Sequence, residues 1–454
     1  MIDITTIKFG VLADTFHAPK KGEIEFLADC LILIDESGDI AAKLTAQDTG
    51  YAESLNTLRE NQRLTVVEKG QFLLPGMVDL HCHAPQWPQA GKGLDLPLYD
   101  WLQNYTFPLE NRFGDLAFAE PVYRDVAQTL LANGTTSAVY FASIHREASE
   151  LLAKTSLSLG QRAFVGKINM DNPEQCPDYY REPSVEDAIA DTELFIQNVR
   201  GLKGNCHGLV KPVITPRFVP SCTKTLLGEL GKLVQAYDVH MQTHCSESDW
   251  ARDYAIQHFG KSDIETYAES GLLNNKSVLA HSIFLTERDV AMMKEFDAGI
   301  GHCPLSNMYF ANAAMHTREL LDSGVNIGLG SDIAGAPSPS IFRAAFDAVS
   351  HSRVREEGVD TRLPAGARGV SGSRVSFLEA FWMATAGGGR VLNEKIGLFE
   401  NGYHFDALVI KPSALGNLRV WPDMDTPRDI LEKIVSLAQS CDIDSVWVQG
   451  KKVR

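Results

Sequence analysis

Apolar residues along the 454-residue chain fall into two kinds of stretch that alternate. Eight stretches are short, β-branched and almost continuously apolar: 76–83 (GMVDLHCH), 134–141 (GTTSAVYF), 162–170 (RAFVGKINM), 209–218 (LVKPVITPRF), 239–247 (VHMQTHCSE), 277–284 (SVLAHSIF), 298–307 (AGIGHCPLSN) and 326–335 (NIGLGSDIAG). Between them, apolar positions recur every three to four residues, as in 119–133, 184–200 and 222–238, the last with Ser221 as its expected N-cap. Short apolar runs fit strands covered on both faces. Strand-like runs alternating with helices predict an α/β chain folded as a (β/α)8 TIM barrel over residues 75–397.

The two ends need another place. Residues 1–74 contain the strand-like runs 30–35 (CLILID) and 64–68 (LTVVE), and residues 398–454 contain 405–410 (FDALVI) and 445–453 (SVWVQGKKV). The economical arrangement joins both ends in one small β-sandwich beside the barrel. The segment 355–374, rich in Gly and Arg, reads as a mobile loop. The triple glycine 387–389 reads either as a tight helix-packing point or as a C-cap.

Charge narrows the partners. Lys and Arg total 42 against 58 Asp and Glu, a net charge of −16, with no long basic run. That balance argues against nucleic acid or an anionic membrane as a partner. The eight cysteines (30, 82, 176, 206, 222, 245, 303 and 441) are scattered without a C-x-x-C pair, as expected of reduced thiols. The opening MIDITTIKFGVLADTF has no basic start followed by a long apolar stretch, and no run reaches the ~20 apolar residues of a spanning helix. The expectation is a cytoplasmic protein.

The chemistry concentrates at the ends of the strand-like runs. His81 and His83 lie two apart in the first, so a strand turns both imidazoles to one side and Cys82 to the other. Alone, that pair is equally half of a metal site or two hydrogen-bonded core histidines. His244 in the fifth run, His281 in the sixth and Asp332 in the eighth bring further candidates to the C-terminal mouth, where barrel enzymes carry their chemistry. Imidazoles and a carboxylate suit Zn²⁺ with one position left for water, and ligand type leaves Fe²⁺ and Mn²⁺ open.

The H-x-H after a G-M-V-D strand, the later single histidines and the S-D of the eighth run resemble the amidohydrolase superfamily across nearly the whole chain. The resemblance implies a metal-dependent hydrolase barrel, a β-sandwich from the two ends, and a homodimer. It implies a single Zn²⁺ held by His81, His83, His244 and Asp332, with His281 beside or on the metal. Two-metal members carry a bridging lysine or carboxylate at the end of the fourth strand; here that place reads ITPRF, with Lys211 back at the start. HCSE sets Glu247 three residues after His244, where the deaminase branch keeps its proton shuttle.

HCHAPQ, 96–110 (LPLYDWLQNYTFPLE), TPRFVPSC, HCPLSN and GLGSDIAG are together similar to the guanine deaminases within that branch. The implied substrate is free guanine, attacked at C2 to give xanthine and ammonia. The implied contacts are His83, Ala84, Pro85, Gln86, Arg217, Phe218, His244, Glu247 and Asp332, and the implied catalytic groups are Glu247, His281 and Asp332. Gln86 would read O6 and N1–H and Arg217 would donate to O6, with Phe218 stacked on the ring. Structurally, Gln86 could instead cap its loop, Arg217 pair with an acid, and Trp87 and Trp101 pack around the entrance. Competing functions are another deaminase of the same superfamily, acting on S-adenosylhomocysteine, methylthioadenosine or a triazine, and a non-catalytic assembly barrel. The base deaminases built on H-x-E and P-C-x-x-C are excluded, since no P-C-x-x-C occurs.

Overall fold

The computed structural model describes residues 4–205 and 207–454; Cys206, one of the expected thiols, lies outside them. Eight parallel strands follow one another in order: β1 (Met77–His83), β2 (Thr135–Phe141), β3 (Arg162–Asn169), β4 (Val210–Pro216), β5 (His240–Cys245), β6 (Ser277–His281), β7 (Gly299–His302) and β8 (Asn326–Leu329). The ring closes just past β8, where the Asp332 N–H donates to the His81 carbonyl (2.8 Å) and the His83 N–H to the Ile333 carbonyl (2.7 Å). Each strand lies within its apolar run, and several stop well short of the run's end. Arg217, Phe218, Glu247 and Asp332 therefore sit on the loops beyond the strands.

Strand alternation places Val139 of β2, Phe164 of β3 and Val213 of β4 inside the barrel, packed with Val78 and Leu80 of β1. Ala138, Tyr140, Ala163 and Val165 face the helices outside. In β1 this parity would turn His81 and His83 outward. A bulge prevents it: between the pairs Asp79–Ala138 and Cys82–Tyr140, β1 spends one residue more than β2. Above the bulge Cys82 joins the outer cluster and the two histidines point into the mouth.

Gly387–Gly389 is neither a C-cap nor a contact between two helices. It continues the helical segment from Phe377 to Val391 beneath the barrel, where a Cβ on Gly388 would stand 2.7 Å from Val78 Cβ and one on Gly387 2.6 Å from the Ile327 carbonyl oxygen. Only glycine lets this helix close the barrel floor. Ser221 is not the cap of the following helix: Thr223 caps Lys224–Tyr237 by accepting from the Leu226 N–H, while the Ser221 hydroxyl donates to the Phe218 carbonyl. Of 355–374, the first residues complete the helix Ile341–Glu357 and the short helix Ala365–Arg368 interrupts the rest.

The second sheet draws on both ends of the chain. Phe72–Pro75 pairs in parallel with Ile7–His17 on one side and antiparallel with Ala407–Ile410 on the other. Glu25–Asp35 and Ile40–Leu44 extend one edge, and Ile443–Val448 and Lys451–Lys452 the other. The fold is thus a TIM barrel flanked by a β-sandwich unit. The two are pinned by a buried ion pair, in which Arg162 at the base of β3 donates to both oxygens of Asp406 (3.0 and 3.3 Å). Among the described residues, no helix is long and apolar enough to cross a membrane.

Candidate active site

Four imidazoles and two carboxylates converge at the barrel mouth, all of them buried. His83 Nε2 lies 3.2 Å from His81 Nε2 and 3.1 Å from His244 Nε2, and Asp332 Oδ1 lies 3.2 Å from His81 Nε2 and 3.5 Å from His83 Nε2. Ligand atoms ~2.0–2.1 Å from a zinc ion stand about 3.4 Å apart at the corners of a tetrahedron. The observed spacings could hold a metal ion, as could those of His81, His244 and His281, whose ligand atoms lie within 4.8 Å of one another. His281 is set back, its Nε2 3.6 Å from Glu247 Oε1 and 4.0 Å from Asp332 Oδ2, without a hydrogen-bond partner.

The surroundings hold these rings in the form a metal needs. His244 donates from Nδ1 to the Arg217 carbonyl (2.6 Å) and His281 from Nδ1 to Asn307 Oδ1 (2.9 Å), so each presents the Nε2 lone pair to the cluster. Burial, reinforced by neighbouring imidazoles and Arg217, holds His81, His83 and His244 neutral well below the usual histidine range. Asp79, given no role by sequence reasoning, ties the first strand to the loop after the eighth. It accepts from the His81 and Ser331 N–H groups (3.1 and 2.9 Å) and from the Ser331 hydroxyl (2.5 Å). Its proximity to H-x-H in VDLHCH was the available signal.

Ser246, His281, Ser282 and Asp332 all have φ between 45° and 66°, left-handed backbone that costs of order 1–3 kcal/mol at a non-glycine residue. Each lies just past or at the end of a strand. The sharp turns they make fold the loops back over the mouth and leave Glu247 beside the cluster. Burial, and then the nearby Asp332, holds the Glu247 carboxyl well above the usual carboxylate range.

Above the cluster a cavity is lined by His83, Gln86, Arg217, His244, Glu247 and Asp332 on its polar side, with the Phe218 ring beside them. Leu98, Trp101, Leu102 and Phe310 supply the apolar wall. Trp101 thus belongs to the cavity itself, while Trp87 packs away from it and donates to Asp125 (2.6 Å). Ala84 and Pro85 are buried in the turn that carries Gln86. Lys211 pairs with Glu394 at the far end of β4, away from the cluster. Arg217 does have an acidic partner: fully buried Glu110 accepts from its Nη1 (2.6 Å) and Nη2 (3.2 Å). Glu110 also accepts from Gln86 Nε2 (2.9 Å) and the Tyr180 hydroxyl (2.8 Å). It ends the stretch LPLYDWLQNYTFPLE, where an acid after Phe-Pro-Leu in a buried segment has to find donors.

The family model described as "Amidohydrolase family" matches residues 72–453. A guanine deaminase of Dictyostelium discoideum is 37% identical over 453 residues, 96% of each chain. The guanine deaminase of Homo sapiens is 38% identical over 450 residues, 96% of this chain and 94% of its own. Among solved structures, guanine deaminase from C. acetobutylicum with guanine bound in the active site superposes with a TM-score of 0.86 at 31% identity, covering 98% of this chain and 99% of the other.

Proposed function

The chain belongs to the amidohydrolase family, and we propose that it hydrolyses guanine at C2 to xanthine and ammonia. The observation that carries this reading is the joining of two features: a cluster that could hold a metal ion opens directly into a cavity walled by Gln86 and Arg217. The relatives and the guanine-bound structure of similar fold support the same substrate.

His81, His83, His244 and Asp332 would hold one zinc ion per chain. Bound there, the ion lowers the pKa of water to ~7 and so makes a hydroxide nucleophile available at neutral pH. The protein's own groups do the rest. Asp332 accepts the proton that the attacking water gives up. Glu247, kept protonated by its burial, donates to ring nitrogen N3 as C2 becomes tetrahedral, then takes the proton of the hydroxyl added at C2 and passes it to the departing amine as the carbonyl forms, and the proton held by Asp332 restores it. His281 Nε2, whose lone pair faces both carboxylates, accepts from the attacking water and holds it in line for addition at C2. Gln86 and Arg217 read the ring edge, and Phe218 packs on its face.

The reading places the enzyme in purine breakdown or salvage, as a cytoplasmic homodimer. The seven described cysteines are free thiols, which suits a reducing compartment. One experiment tests the core of it: conversion of guanine to xanthine by purified protein whose metal content is measured on the same sample. We expect turnover with about one zinc equivalent per chain. Two equivalents held with similar affinity, or no xanthine from zinc-loaded protein, would overturn the reading.

A further inference from the structure

Gln86 is turned by a residue that never touches the substrate cavity. Glu110 lies behind the polar wall, fully buried, with four hydrogen bonds arriving at its two oxygens: two from Arg217, one from Gln86 Nε2 and one from Tyr180. As the ion-pair partner of a guanidinium, this carboxylate can only accept. The Gln86 amide therefore has to aim its NH₂ end at Glu110, and its carbonyl oxygen faces the other way. That oxygen, Gln86 Oε1, is buried without a partner on a side chain that lines the cavity. Arg217 spends two of its five N–H donors on Glu110 and also lines the cavity.

We infer that Glu110 is a positioning residue that fixes the hydrogen-bond polarity of the cavity: Gln86 as an acceptor and Arg217 as a donor, side by side. This rests on guanine being the substrate and says how it is selected. The complement of an adjacent acceptor and donor is a ring edge with an N–H next to a carbonyl oxygen. Guanine offers N1–H to Gln86 Oε1 and O6 to Arg217. A 6-aminopurine edge offers the reverse, a bare N1 against Oε1 and an amino group against the guanidinium, and leaves buried groups facing their own kind. A free glutamine could turn over to suit either edge. Glu110 removes that freedom.

The test compares the guanine KM with the inhibition constant of 2,6-diaminopurine, which has an amino group in place of O6 and no hydrogen on N1. In Glu110→Gln the carboxamide can donate as well as accept, so Gln86 is no longer held. We expect the guanine KM to rise about tenfold or more, with kcat within about threefold, because the lost contact is made equally before and during reaction. The inhibition constant of 2,6-diaminopurine should rise less than about threefold. Tyr180→Phe, which removes a donor from Glu110 without freeing Gln86, should leave the ratio of the two constants at the parent value. Equal weakening of both ligands in Glu110→Gln would mean general damage to the cavity and would sink the inference, as would an unchanged guanine KM. Should Glu110→Gln not accumulate as folded protein, Gln86→Met decides. With Glu110 and Arg217 intact, losing the acceptor should raise the guanine KM alone, and a parallel rise for both ligands would overturn the assignment. A parent protein that leaves guanine untouched refutes the substrate instead.

Discussion

His244, near the end of β5, and Glu247, on the turn beyond it, stand three residues apart, and their settings fit them for opposite tasks. His244 is held neutral with Nε2 beside the His83 ring nitrogen, whereas burial and then Asp332 hold the Glu247 carboxyl well above the usual carboxylate range and so favour its protonated form. His244→Ala should therefore lose metal and activity together. Glu247→Gln should keep zinc and guanine binding while kcat falls ~10²–10⁴-fold, the usual contribution of a positioned acid. Metal analysis beside steady-state kinetics separates the two, and a near-parent rate in zinc-loaded Glu247→Gln would move the proton to Asp332 or His281. The sign of the pH response follows. Activity that needs the Glu247 proton is present below its raised pKa and is lost as pH climbs through it, so kcat/KM should decline on the alkaline side of the profile.

At the scale of elements, the turn after β5 depends on a second buried acid. Asp263, the first residue of the helix Asp263–Glu269, accepts from the Ser246 N–H and hydroxyl and so props the left-handed turn that carries Glu247. Burial pushes its carboxyl up to about 7, against an ordinary value of 3.8. The folded protein then binds this proton more tightly than the unfolded chain does. Stability from this group is greatest below pH ~4, declines as pH rises to about 7, and is flat above, a total of about 4 kcal/mol. Asp263→Asn should flatten that slope in denaturant titrations run between pH 4 and 8; an unaltered slope would mean that another group carries it. The same elements show why boundaries were hard to read. Apolar runs continue past the strand ends because loop residues such as Phe218 and Ile333 are buried as well, so hydrophobicity alone does not mark where pairing stops. Thr223 caps its helix in place of Ser221 because the tight turn Val219–Ser221 has already claimed the earlier hydroxyl.

For the whole molecule, the Arg162–Asp406 pair joins β3 to the strand-bearing C-terminal segment, and Asp406 also accepts from the Gln449 N–H (2.7 Å). Removing one member of a buried ion pair leaves the other uncompensated, at a cost of about 3–5 kcal/mol. Arg162→Met should lower the unfolding free energy measured in denaturant by that amount while folded protein keeps its guanine KM, since the pair lies at the barrel end opposite the mouth. A changed KM at full stability would show that the two units communicate with the site. Metal removal acts from the other end: chelation should lower Tm, by an amount that grows with the logarithm of metal affinity, because a ligand bound only by the folded state stabilises it.

The strand-and-helix rhythm and the chemistry at the run ends were fixed by the sequence itself, because a barrel strand must be apolar on both faces and a metal needs imidazoles and carboxylates. That is why the barrel and the clustering of His81, His83, His244 and Asp332 could be read without coordinates, whereas Gln86 and Arg217 were named from the resemblance carried by HCHAPQ and TPRF. Three things were decided only by tertiary structure. The bulge in β1 reverses the parity that Val78 and Leu80 set, and a pairing register is a relation between two strands that neither sequence carries alone. Glu110 meets Arg217 across 107 positions of chain, and no local pattern reports a contact at that separation. Gly388 lies where a helix meets Val78, so its need for hydrogen in place of a side chain came from the closing of the barrel floor, which exists only once all eight strands have met.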